Sequence, residues 1–370
     1  MLKITDKIQC CGCTACFHAC PVHCITMEPD NEGFRYPVID MNRCIDCGKC
    51  ERVCPIINRN NQSKPETCLA AKNPDNKIRL ESSSGGVFTA MALRSINNGG
   101  IVVGVRFGQN HDVEHYFAET PQELSPMRGS KYVQSRLGDT FPRIKKLLGE
   151  NREVLFSGTP CQVSGLLRYL GKNHTGLTTI DTVCHGVPSP KAWRSYLSEI
   201  TATPDIEHIS FRSKISGWKH YSIIIGDHTT AYTDDPYMQS FLSNINLRPS
   251  CYGCPAKCGR SGADITLGDF WGIDRVTPEF DDDRGVNLII PHTEKGRHLI
   301  GDIHIETRSL PYSNASAGNP SLETSVSRPA YRDYFFHYFN KHGFTKAWNM
   351  TSSKSIFQRI HRRFFLLTHT

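Results

Sequence analysis

One cysteine spacing occurs twice within the first 55 residues. Cys10-x-x-Cys13-x-x-Cys16-x-x-x-Cys20-Pro21 comes first, and Cys44-x-x-Cys47-x-x-Cys50-x-x-x-Cys54-Pro55 follows. Three thiols separated by pairs of residues can wrap a loop around one inorganic body, with backbone N–H groups turned toward its sulfurs. The proline ends the loop and turns the chain away. A run of this form holds 4Fe-4S clusters, and the fourth cysteine of each run ligates the other cluster. The spacing assigns Cys10, Cys13, Cys16 and Cys54 to a first cluster and Cys44, Cys47, Cys50 and Cys20 to a second. Zinc sites use separated pairs of ligands more often than a tight triple run. A disulfide framework would need an oxidising compartment. Cys11 and Cys24 fall outside the pattern, and Cys24 reads as a small buried residue packed under the cluster.

Sixteen cysteines in 370 residues suit metal binding better than a small disulfide scaffold. The length allows roughly two or three domains. No stretch approaches the roughly 18 apolar residues of a membrane span. The cluster loop follows Met1–Asp6 at once, which does not fit a signal peptide, so the expected compartment is the reducing cytoplasm. The net charge is +7, but Lys and Arg are dispersed and no basic-aromatic platform stands out, so nucleic acid is not an expected partner. A mild positive balance also suits acidic redox partners or phosphate-bearing ligands.

The expected fold class is α+β, with an N-terminal two-cluster ferredoxin-like module followed by a mixed α/β body. The module covers residues 1–60, and the polar segment Asn58–Pro65 reads as a linker. The body divides into 67–145 and 150–310, followed by a helical, basic tail over 311–370. Strands are expected at Cys68–Ala71, Ile101–Val105, Val154–Phe156, Ile180–Val183, Tyr221–Ile225 and Val286–Ile290. Helices are expected over Ser84–Ile96, Phe141–Leu148 and Val163–Leu170. In the tail, Ile356, Ile360, Phe364 and Leu367 share one side of a helix, with Lys354, Arg359, Arg362 and Arg363 elsewhere. Such a helix can lie on a membrane surface, but docking on its own domain is the favoured expectation.

Several body motifs carry chemistry. Ser82-Ser83-Ser84-Gly85-Gly86 opens a helix, and hydroxyls with bare backbone at a helix N-terminus suit a pyrophosphate; an ordinary serine cap is the simpler use. Ser157-Gly158-Thr159-Pro160-Cys161 sits at a strand–turn–helix junction, where α/β proteins bind ligands. Cys161 at the helix start is expected to have a lowered pKa. Cys251-x-x-Cys254-x-x-x-Cys258, with Cys161 and Cys184, gives five thiols, one more than a third cluster needs; structural zinc is the rival use. Arg128–Tyr132 is a glycine-containing turn with a cation, and Ala263–Gly272 reads as a strand ending in a Gly-Asp turn beside aromatics. His185 and Asp181 flank Cys184, and His185 is a candidate proton donor.

Taken together these segments resemble the family of coenzyme F420 hydrogenase/dehydrogenase beta subunits. The matching stretches are Ser82–Phe88, Gly129–Ser135, Gly158–Gln162, Cys184–Gly186, and Cys251-x-x-Cys254 followed by Asp264–Gly272, over about residues 67–310. The resemblance implies an FAD-containing iron–sulfur oxidoreductase with a 4Fe-4S cluster beside the flavin. Carried over, Ser83, Ser84, Gly85, Gly86, Lys131, Gly158 and Thr159 become flavin contacts, and Lys131 and His185 become candidates at the reacting centre. Cys161, Cys184, Cys251 and Cys254 become ligands of a third 4Fe-4S cluster. Cys258 departs from the simple cysteine pair and could replace Cys161. The implied route takes electrons from reduced ferredoxin or flavodoxin through the clusters to FAD. The acceptor would be an F420-like carrier or an unsaturated small molecule. The Gly-Asp-Phe-Trp-Gly ending is nearer to bacterial members, which are linked to surface-polysaccharide biosynthesis. Two other readings stand beside this one: a non-catalytic electron-transfer subunit, and a cluster- or zinc-containing interaction protein of a biosynthetic complex.

Overall fold

The computed structural model describes residues 6–61, 64–172, 174–201 and 206–369. Met1–Thr5 and part of the expected linker, Gln62 and Ser63, lie outside them, as do the side chains of Phe364 and Leu367. Each cysteine run ends in a short helix, Ala15–Ala19 and Lys49–Arg52. Between the runs lies a hairpin of β1 (Ile25–Pro29) and β2 (Arg35–Ile39), in register from Ile25 opposite Ile39 to Pro29 opposite Arg35. Asp30 closes its turn by accepting the N–H groups of Glu32 and Phe34 on its carboxylate.

The body is built on an eight-stranded mixed sheet. In chain order its strands are β3 (Thr67–Lys72), β4 (Ile101–Phe107), β5 (Val113–Ala118), β6 (Val154–Gly158) and β7 (Leu177–Thr182). Three more follow the second sheet described below: β11 (Ile265–Asp269), β12 (Asn287–Pro291) and β13 (Glu306–Pro311). The spatial order is β13-β3-β12-β11-β7-β6-β4-β5, with β4, β6, β7 and β11 parallel and the outer pairs antiparallel. The parallel strands are covered on both faces, which is why Val102, Val103, Leu155, Phe156 and Ile180 are all fully buried. Segments 67–145 and 150–310 therefore share one sheet. Tyr221–Ile225 does not join it. There β9 (Ser222–Ile225) pairs with β8 (Ile209–Ser213) and β10 (His228–Ala231) in a separate antiparallel sheet.

Helices form where the expected periodicity places them. Val87–Asn97 follows Gly86, Thr140–Gly149 covers Phe141 and Ile144, and Pro160–Leu170 starts on a proline and ends at Gly171 in the left-handed region. Val163, Leu166 and Leu170 of the last helix pack on the sheet. The module is not a loose appendage. Cys11, Cys13 and Ala15 share one core with Ile101, Phe141, Phe156 and Val163. Phe34 and Tyr36 join an aromatic core with Trp193, Phe211 and Tyr237.

The segment 311–370 is helical, yet its helices Arg332–His342 and Phe344–Ser352 lie inside that aromatic core through Phe335, Phe339, Phe344 and Trp348. The last helix, Ile356–His369, docks through His361, Arg362 and Phe365. Of its expected apolar side, Ile356 and Ile360 are exposed beside Phe357, because Tyr334 and the carbonyls of Met350 and Ser353 hold His361, Arg362 and Phe365 instead. Among the described residues no helix is long and apolar enough to cross a membrane.

Candidate functional site

All sixteen cysteines are free thiols. In the module, burial and the neighbouring charges of Cys10 and Cys54 push the Cys16 thiol up to about 12, and burial with the nearby Cys10 raises Cys54 as well. Cys10, Cys16 and Cys54 of the first expected set thus act on one another electrostatically across the two runs, and the charges of Cys16 and Cys10 also raise Cys13. Cys20, Cys44, Cys47 and Cys50 line a single small pocket walled by Val22, Ile25 and Ile39. Cys24 is buried, as expected, but it lines the same pocket instead of lying under it, with its thiol 3.4 Å from that of Cys20. Thiolates held among apolar walls and backbone N–H groups suit an iron–sulfur cluster, and the Cys20 sulfur accepts the N–H of Cys24.

In the body, Cys161 comes from the start of the helix after β6, Cys184 from the loop after β7, and Cys251 and Cys254 from the turn before β11. The four act on one another electrostatically. Burial, then the charges of Cys251, Cys161 and Cys254, raises Cys184; burial pushes Cys251 up to about 12 and Cys254 to about 11, with Cys161 adding to both. Cys258 points elsewhere. It sits at φ +58°, and its thiol donates to the carbonyl of Glu323 at 3.2 Å. Cys161 itself departs from the sequence expectation. The neighbouring Cys11 thiol, then burial, raises it instead of lowering it, and its hydrogen bond is with Thr159 Oγ1 at 3.3 Å. Cys11, outside the motif, is buried in one core with Cys13, and Cys161 packs against that core, so module and body thiols meet there.

Beside Cys184 a cavity of about 530 Å³ opens at the C-terminal ends of the parallel strands, lined by Gly104, Ser157, Gly158, Thr182 and Asp269. That is where open α/β sheets take ligands, and the volume lies in the ordinary range for small-molecule sites. Lys131 reaches into the wall, where burial lowers it to about 7; its ammonium donates to the carbonyls of Arg128 and Gly129. Arg212 also lines it, almost wholly buried, with its guanidinium 4.2 Å from the Tyr221 ring and 5.0 Å from the Trp271 ring. Its Nη1 donates to Asp269 at 2.9 Å, while Nε and Nη2 have no partner among the described residues. Orphaned buried donors in a cavity wall are what a ligand rich in acceptor oxygens and nitrogens would satisfy, so these residues fit a flavin nucleotide.

Residues 68–140 match the model of the N-terminal part of the coenzyme F420 hydrogenase/dehydrogenase beta subunit, and 151–310 match that of its C terminus. The chain belongs to this family of beta subunits. Residues 9–56 match a 4Fe-4S dicluster domain. Among curated relatives, a subunit of the F(420)H(2) dehydrogenase of Methanosarcina mazei is 24% identical over 175 residues, 43% of this chain and 49% of the relative. A ferredoxin of Mycolicibacterium smegmatis is 48% identical over 42 residues, 11% of this chain and 35% of the ferredoxin. A chain of the F420-reducing [NiFe] hydrogenase complex from Methanosarcina barkeri is similar with a TM-score of 0.48 and 17% identity, covering 80% of this chain and 94% of that one. The chain spans about half the length of the first curated relatives it matches.

In this F420 beta-subunit relative the family-derived contacts divide. Ser83, Ser84, Gly86, Lys131, Gly158, Thr159 and His185 all line the cavity. Ser83 accepts the N–H of Ser130 at 2.6 Å, which ties the serine loop to the Lys131 turn. Ser84 donates to the carbonyl of Val286 and is spent on the sheet. Gly85 is not in the cavity wall. It lies against β3 and β12, where a side chain would strike the Ala71 carbonyl and the Asn287 N–H. The first N–H of the helix after Gly86, that of Val87, is taken by Asn287 Oδ1 at 3.1 Å, which weakens the expected anion site there. His185 is bound to Asn244 at 2.6 Å, and burial lowers it. Trp271, from the Gly-Asp-Phe-Trp-Gly ending that the sequence singles out, also forms the wall, with Arg212, Tyr221 and Asn287, which no local pattern marks as ligand contacts. Cys68 is a buried sheet thiol, its pKa pushed up by burial to about 11.

Proposed function

We propose that the chain is an iron–sulfur flavin oxidoreductase that takes electrons from a reduced ferredoxin or flavodoxin and delivers them to a two-electron acceptor. FAD would supply the conversion between single electrons and hydride. The acceptor is an F420-like carrier or an unsaturated small molecule, with surface-polysaccharide precursors as the class suggested by the bacterial-type Gly-Asp-Phe-Trp-Gly ending.

One observation carries the reading. The two thiol sets meet where Cys161 packs against the core that holds Cys11 and Cys13, and the body set opens through Cys184 onto the cavity. Cys10, Cys13, Cys16 and Cys54 would hold the first module cluster and Cys20, Cys44, Cys47 and Cys50 the second. Cys161, Cys184, Cys251 and Cys254 would hold the third. Ser83, Gly86, Lys131, Gly158 and Thr159 bind and orient the flavin nucleotide, and Arg212 donates to it from Nε and Nη2. His185 stands at the join of thiols and cavity, held by Asn244, where it can pass a proton to bound substrate.

The test is anaerobic purification with iron, sulfide, zinc and flavin analysis, followed by reduction with ferredoxin. The expected result is ~12 iron atoms, three clusters of four, with one FAD that bleaches when reduced ferredoxin is added. Clusters without flavin would instead make the chain a non-catalytic electron-transfer subunit. Zinc in place of iron would make it an interaction protein.

A further inference from the structure

Arg248 is 1% exposed, yet every hydrogen bond from its guanidinium goes to a neutral acceptor. Nε donates to the carbonyl of Cys10 at 2.8 Å, Nη1 to Gln134 Oε1 at 3.0 Å, and Nη2 to the carbonyl of Arg35 at 2.9 Å. The guanidinium carbon lies 4.3 Å from the Tyr36 ring centre. Among the described residues no carboxylate pairs with it. A buried cation with no counter-charge is costly, and native proteins do not leave one without a reason.

The groups that surround Arg248 supply the reason. On one side is the first module loop. Gly12 sits at φ +71°, and a Cβ there would lie 2.9 Å from Arg248 Nη1, so the loop is shaped to admit the guanidinium. On the other side is the body set. The carbonyl of Arg248 accepts the N–H of Cys251 at 2.9 Å, and the Cys251 sulfur accepts the N–H of Val187 at 3.4 Å. The ionisable groups whose charges act on Arg248 are Cys10, Tyr36, Cys11 and Cys251, and its own charge acts on Cys161. A 4Fe-4S cluster on four thiolates carries net negative charge, and nearby charge is one of the levers on its potential.

We propose that Arg248 is the shared counter-ion of two clusters, the one on Cys10, Cys13, Cys16 and Cys54 and the one in the body, and that it positions them for transfer while raising the potential of both. This rests on the reading that those thiols hold clusters. Arg248 is a positioning residue: it touches the loops that carry the ligands and no substrate. Lys257, also buried, donates to the carbonyl of Cys184, and its charge acts on the body thiols Cys184 and Cys254.

The experiment uses the full chain purified without oxygen, with iron counted and each cluster titrated by EPR-monitored potentiometry. Arg248→Met is expected to shift the first module cluster and the body cluster to lower potential. The cluster on Cys20, Cys44, Cys47 and Cys50 should stay where it is. Arg248→Lys, which keeps the charge and loses the fork, is expected to hold full iron and to remain nearer wild type at both clusters. Unchanged potentials in iron-replete Arg248→Met overturn the proposal, and so does an equal shift of all three clusters. If Arg248→Met fails to hold iron, Arg248→Lys decides: restored iron supports a counter-ion, and equal loss shows that only the shape of the fork mattered. Wild-type protein without iron would instead sink the cluster assignment beneath it.

Discussion

The helix that carries Cys161 meets the loop that carries Cys13 at Gly165, where an added Cβ would lie 2.8 Å from the Cβ of Cys13. Module and body are therefore pressed together along the helix that carries Cys161. That contact is made by a missing side chain.

Gly165→Val should wedge the module away from the body. Overpacking of this kind costs about 1–3 kcal/mol. The variant is expected to keep its iron but to pass electrons from module to body more slowly in stopped-flow reduction. Wild-type transfer rates in an iron-replete variant would show that this contact does not set the distance.

Glu32 and Arg332 join the hairpin turn of the module to the helix Arg332–His342. Arg332 Nη1 donates to Glu32 Oε1 at 2.8 Å, and Nη2 pairs with the second oxygen. Arg332 is 2% exposed and Glu32 retains some solvent, so removing the carboxylate leaves a buried cation that still reaches the Leu247 carbonyl. Glu32→Ala is expected to cost about 2–3 kcal/mol in urea denaturation, somewhat below a fully buried pair. The double variant Glu32→Leu with Arg332→Met should lose less than the two single changes combined.

What the sequence made legible follows from how local each signal is. The module cysteines are bound to one another by spacing within a few residues, so their pattern is visible without the fold. The central strands are visible too, because Val102–Val103 and Leu155–Phe156 are continuous apolar runs of the kind buried on both faces. Arg212 and Arg248 were not legible. A lone arginine in sequence reads as surface, and each acquires meaning only when a distant element closes over it: Asp269 and Trp271 for the first, Gly12 and Cys10 for the second. Cys258 shows the reverse failure. Its spacing continues the motif, but its left-handed backbone turns the thiol to Glu323. The last helix misleads in the same way, since periodicity marks Ile356 and Ile360 as a docking side while Tyr334 selects His361.

Acid should destabilise the protein through buried neutral histidines. Burial lowers His115 and His292 to about 4, against 6.5 for a free histidine. Between those values the unfolded chain binds more protons than the native one, so stability falls as pH drops from 6.5 to 4. Asp181 works in the other direction. Burial raises it to about 6, so below that pH the native state binds the extra proton and gains stability. Burial also lowers His18, His174 and His185 and raises Asp235, so more groups lose stability in acid than gain it and the net is a loss. His292→Gln should make the decline shallower by up to about 1.4 kcal/mol per pH unit, and Asp181→Asn should make it steeper. Thermal midpoints across the range check both, and an unchanged slope in His292→Gln would show that His292 is already charged in the native state.

Arg212 offers the most direct handle on the cavity. Its charge is matched by Asp269, and its ring contacts with Tyr221 and Trp271 fix the plane of the guanidinium. What is left over is Nε and Nη2, two donors buried without an acceptor. A flavin nucleotide in the cavity would relieve that cost, so the loss on removing the donors falls on binding. Arg212→Met keeps the bulk between the two rings and deletes the donors. Hydrogen bonds to charged groups contribute about 1.5–3 kcal/mol, so FAD should bind the apoprotein at least roughly tenfold more weakly in a fluorescence titration. The same change leaves Asp269 without its cation, although Trp218 Nε1 still donates to its other oxygen at 3.2 Å. Arg212→Met combined with Asp269→Asn separates the two effects. If FAD affinity is untouched in a folded double variant, the donors serve some other ligand and the flavin assignment of the cavity fails.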